Sequence, residues 1–93
     1  MDNQHRKSSD YRELSQAEID LMNEIKFKGE ELRVLCEKVG HHVGLVIGAS
    51  SGNDQEGARV AAANPAYWAM GAYTDLQVGI MKLVRAVAQP TTF

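Results

Sequence analysis

The chain has 93 residues, 44% apolar and 24% charged, and its 10 basic and 12 acidic side chains give a formal net charge of −2. That balance fits one soluble domain without a second core, and its slight acidity excludes a general coat for DNA or RNA polymers. One cysteine excludes an internal disulfide framework, no apolar run approaches the roughly 20 residues of a membrane span, and the polar, charged start predicts no secretory signal.

Residues 1–10 carry no strongly apolar side chain beyond Met1 and read as a flexible N-terminal arm. Residues 11–90 read as a single helical-hairpin domain with a loop at about 40–64, followed by a tail at 91–93. Tyr11 and Leu14 are the first apolar anchors. Ser15-Gln16-Ala17-Glu18 then has the capping-box pattern, in which a hydroxyl and a carboxylate each satisfy an orphan amide at a helix start. Met22, Ile25, Leu32, Cys36, Val39 and Val43 recur at helical intervals, with Gly29 filling the missing place and Leu21 and Leu35 widening the face. The pattern predicts a helix from about Gln16 to near Val39. Gly29 lies on the buried stripe, where a missing Cβ admits a close neighbour.

Glycines at 40, 44 and 48 weaken the end of this helix, and residues 43–47 read equally as a short strand or a frayed helical extension. Ala49 to Asp54 is a loop by composition, and Gln55 to Ala63 is long enough for a turn or two of helix. Asn64-Pro65 marks a second helix start, with asparagine as cap and proline at the first position. Ala69, Ala72, Leu76, Ile80, Leu83 and Val87 form its stripe, with Trp68 read as packing, and Pro90 ends it. The predicted fold is all-α: a long antiparallel helical hairpin with a short N-terminal helical element. Met70, Val78 and Met81 lie off the main stripe, so a lone hairpin leaves apolar surface open and a homo-oligomer is expected.

No catalytic machinery is evident. Cys36, His41 and His42 do not have a standard zinc spacing, and a cysteine on an apolar stripe behaves as a small hydrophobe. No cofactor is implied. Binding chemistry is better supported. Tyr11 and Arg12 precede the capped helix, and Lys26 lies on it seven residues before Arg33, hence on the same side. An aromatic ring stacks on a base and an ammonium neutralises a phosphate, although a tyrosine here equally serves as a hydrophobic staple. Tyr67, Gly71 and Thr74 share one face of the second helix, which suits either a contact between helices or a ligand pocket at a symmetry axis.

The strings Tyr-Arg-Glu-Leu-Ser-Gln-Ala-Glu-Ile (11–19), Asn-Glu-Ile-Lys-Phe-Lys-Gly (23–29) and Thr-Asp-Leu-Gln-Val-Gly-Ile-Met-Lys-Leu-Val-Arg-Ala-Val-Ala-Gln-Pro (74–90) resemble the phage anti-CBASS cyclic-nucleotide sponges. The resemblance implies a small helical homohexamer that sequesters cyclic dinucleotides such as 3′,3′-cGAMP, and cyclic trinucleotides, in the host bacterial cytoplasm without cleaving them. It puts a stacking aromatic at Tyr11 and a phosphate-binding lysine at Lys26, in a pocket between two protomers; Arg12, next to Tyr11 in the chain, and Gly29, one turn beyond Lys26, are read from their positions as further ligand residues. A separate trinucleotide pocket falls on Tyr67, Gly71 and Thr74. There the family's Pro-x-Arg-Trp string is Pro65-Ala66-Tyr67-Trp68, and a phenol cannot replace a bidentate guanidinium on phosphate. A reading of another class is a helical adaptor whose partner is a protein.

Overall fold

The computed structural model describes residues 12–92. The described chain forms three helices, α1 (Gln16–Ser50), α2 (Asp54–Ala63) and α3 (Pro65–Ala88). Ser15 caps α1 as its sequence predicts: its hydroxyl accepts from the Glu18 N–H at 3.2 Å while its own N–H donates to Glu18 Oε1 at 2.8 Å. Residues 12–15 are not helical, and the arm at 1–10 lies outside the described residues. Among the described residues the short helix is α2, placed between the two long ones, and an N-terminal helical element within residues 1–11 would lie outside the described residues.

α1 passes straight through Gly40, Gly44 and Gly48 and ends at Ser50, about eleven residues beyond its expected end. Tertiary packing explains the extension. The loop expected over 49–54 contracts to 51–53, with Gly52 at φ 82, a conformation that needs no Cβ. Asn53 then caps α2, accepting from the Glu56 N–H at 3.0 Å. α2 folds back on the far end of α1, where Val43, Ser50 and Val60 are buried. A Cβ at Gly57 would lie 3.4 Å from the Ser50 carbonyl oxygen, which shows how closely the two helices meet.

A single residue joins α2 to α3. Asn64 sits at φ 50, ψ 54; its N–H donates to the Val60 carbonyl at 2.9 Å and closes α2, and Pro65 opens α3. Asparagine is among the few side chains that tolerate this left-handed geometry. Its side chain makes no capping bond to α3, so its role is to turn the chain rather than to satisfy amides. α3 ends at Gln89, also left-handed at φ 52, just before Pro90.

α1 and α3 run antiparallel along one seam. Ile80 packs over Gly29, where a Cβ would lie 3.4 Å from Ile80 Cγ2. Met22, Ile25, Gly29, Leu32, Cys36, Val43, Val46 and Ser50 form the part-buried or buried side of α1, an alternation of three and four steps that fits a narrow coiled-coil-like stripe. Val39, Leu21 and Leu35, expected on this face, are exposed. On α3, Val84 is part-buried while Leu83 of the expected stripe is exposed. No described side chain is fully buried, and α3 has no buried residue.

Candidate functional site

The seam opens into a groove of about 340 Å³ between α1 and α3. Lys26, Gly29, Leu32, Arg33 and Cys36 contribute from α1, and Tyr73, Leu76, Gln77, Ile80 and Met81 from α3. Helical spacing explains the α1 wall, because 26, 29, 33 and 36 fall three or four residues apart. The absent Cβ of Gly29 lets Ile80 form the floor. The result is a mainly apolar trough whose lining also carries two cations, an amide, a phenol and a half-buried cysteine.

The two cations differ. Arg33 Nε donates to both Glu30 oxygens, at 2.9 and 2.8 Å, and its Nη1 pairs with Glu37. Its pKa is raised, first by the hydrogen bond to Glu30 and then by the charges of Glu30 and Glu37. Lys26 is exposed and enters none of the ion pairs among the described residues. An uncommitted ammonium at the rim of an apolar trough has its charge available for an anion. Lys28 and Glu31 pair at 3.3 Å outside this set.

Of the residues singled out from the sequence, Lys26 and Gly29 come together in the groove. Tyr11 lies outside the described residues. Arg12 is at the start of α1, where its Nη2 bonds Glu18 Oε2 at 2.5 Å and the Val87 carbonyl of α3 at 2.8 Å. Tyr67, Gly71 and Thr74 do not line the groove. Tyr67 is 64% exposed and meets Trp68 edge-on, with ring centroids 5.2 Å apart at 84°. A Cβ at Gly71 would meet nothing within 4 Å, and the Thr74 hydroxyl donates back to the Met70 carbonyl at 3.2 Å. Trp68, expected to pack, is 68% exposed in the protomer, beside Met70 at 72%.

Tyr73 and Gln77 are groove residues that the sequence reading did not select. Their spacing of four puts them on one face of α3, but only the register of α3 on α1 brings that face into the groove. A second cleft of about 250 Å³ lies at the far end, lined by His42, Val43, Val46, Arg59, Val60, Ala63 and Pro65. Its arginine is engaged by Glu56, with Nη2 on Oε1 at 2.5 Å. Among the described residues no cluster of three histidine, cysteine or carboxylate side chains is placed to hold a metal, and no helix is long and apolar enough to cross a membrane.

No protein-family model matches the chain. It is 42% identical to Anti-CBASS protein 2 of Pseudomonas phage JBD67, over 97% of both sequences. At that identity and near-complete coverage, with an all-helical fold as the resemblance implies, the chain belongs to the anti-CBASS protein family.

Proposed function

We propose that the protein blocks CBASS antiphage signalling by sequestering cyclic oligonucleotide messengers without cleaving them, in the cytoplasm of the host bacterium. The observation that carries this reading is the groove. Lys26 offers an unpaired ammonium for a ring phosphate, and the apolar trough beside it suits a flat base. The similarity to a phage anti-CBASS protein supports the biological setting.

The groove of about 340 Å³ is at the small end of ligand pockets, which span about 300–1,000 Å³. A second protomer that brought its own Tyr11 and Lys26 would enlarge and close it, and two-fold pairing matches a ligand with two phosphates and two bases. Tyr11 stacks on a base, Lys26 neutralises phosphate, and Gly29 lets a neighbour approach. The exposed Tyr67, Trp68 and Met70 favour assembly of further protomers, as a homohexamer. Tyr67, Gly71 and Thr74 form the candidate trinucleotide surface, with phenol in place of guanidinium.

Titration calorimetry with 3′,3′-cGAMP tests the site. Tyr11→Ala and Lys26→Ala are each expected to weaken binding by more than about tenfold, in the range seen when a stacking ring or charge contact is deleted. Unchanged affinity in both would remove the site. Denaturing the complex should return intact ligand; recovery of a linear product would make the protein an enzyme instead.

The exposed Trp68 and Met70 favour a second reading, an adaptor for a protein partner. A ligand that binds only the folded state raises the melting temperature. No rise across a panel of cyclic di- and trinucleotides would select the adaptor.

A further inference from the structure

Arg12 stands next to Tyr11 in the chain and is counted above among the ligand residues, yet its guanidinium already has partners within the protomer. Nη1 and Nη2 donate to the two carboxylate oxygens of Glu18 at 3.2 and 2.5 Å. Nη2 also donates to the Val87 carbonyl at 2.8 Å, across 75 residues of sequence. Val87 is in the last turn of α3, where carbonyls have no partner within the helix and the dipole end is negative. Glu18 is in turn fixed by the capping box, accepting the Ser15 N–H. One planar fork therefore ties the first turn of α1 to the last turn of α3. A lysine, a single point charge on a flexible stem, cannot reproduce both contacts.

Building on the sponge reading, we propose that Arg12 is a positioning residue, a latch between the start of α1 and the end of α3 that holds the two helices in the register that forms the groove, and not a contact to ligand phosphate. The groove is walled by α1 and α3, so a tie between their ends bears on how its walls are held. Holding the walls of a binding groove before the ligand arrives lowers the entropy lost on binding.

The two roles make opposite predictions for Glu18→Gln. Glutamine keeps the capping box but removes the charge that holds the guanidinium. If Arg12 contacted phosphate, freeing it would leave affinity unchanged or tighten it; a latch requires affinity to fall. Calorimetry with 3′,3′-cGAMP, run well below the melting temperature of every variant, should show Glu18→Gln and Arg12→Ala each weakening binding by about fivefold or more. Arg12→Lys should recover only part of the loss. The double variant should be no worse than Arg12→Ala, because both changes break one unit. Without ligand, hydrogen exchange at the amides of Ile19 and Gln89 should quicken in both single variants. Tighter or unchanged binding in Glu18→Gln overturns the positioning role, and unchanged exchange overturns the latch itself. Failure of the unmodified protein to bind the nucleotide would sink the sponge reading instead, while the exchange result still decides whether the latch exists.

Discussion

Glu18 shows how much one side chain can do when its neighbours are both local and distant. Arg12 first, and then the Ser15 N–H, hold its carboxyl at about 2, well below the ordinary 4.5. The sign follows from linkage: a depressed carboxyl pKa stabilises the fold above the unfolded value and loses that contribution as pH falls from about 4.5 through about 2. The unmodified protein should therefore melt higher than Glu18→Gln at pH 6, with the difference much reduced near pH 2, as circular dichroism melts would record. A gap as large at pH 2 as at pH 6 would mean that the ionised carboxylate is not its source. Half of this arrangement is legible in the chain, since Ser15 and Glu18 stand three residues apart in a recognised order. The other half is not, because nothing around Arg12 points to a carbonyl at Val87.

The glycines mark where the helices obey local preference and where packing overrides it. Each interior glycine costs about 1 kcal/mol relative to alanine, so three in nine residues should end α1. They do not, because Val43, Val46 and Ser50 continue the seam and α2 covers it with Val60. A Cβ at Gly44 would meet nothing within 4 Å, so Gly44→Ala should stabilise the protein by about 0.5–1 kcal/mol in urea denaturation. Gly29→Ala should gain less, since its Cβ would already touch Ile80 at 3.4 Å. A loss of stability at Gly44 would show that another helix lies against that face. Lys26 and Gly29 share a face by helical spacing alone. Tyr73 and Gln77 complete the groove only through the register of α3.

At the scale of the molecule, the protomer is a rod of 63 × 23 × 17 Å with a radius of gyration of 20.0 Å. A compact chain of this length would have a radius near 12 Å. Few of its described residues are buried, and Trp68, Met70 and Met81 leave apolar surface open of the kind that marks interfaces. Light scattering is expected to give a multiple of the 10.2 kDa protomer mass. Met70→Glu, which puts a charge on the exposed face of α3, should reduce that multiple and lower the melting temperature. A monomer in the unmodified protein would overturn the proposal of a pocket shared by two copies.

The amino-acid sequence by itself determined the helical class, the capped start of α1, the turn at Asn64-Pro65 and the stop at Pro90. Each of these rests on forces acting within a turn or two of helix, where caps, prolines and the period of 3.6 operate. Only the tertiary structure decided how far α1 runs, which α3 side chains wall the groove and what Arg12 holds. Those depend on contacts between residues distant in sequence, whose free energy exists only once the helices have docked.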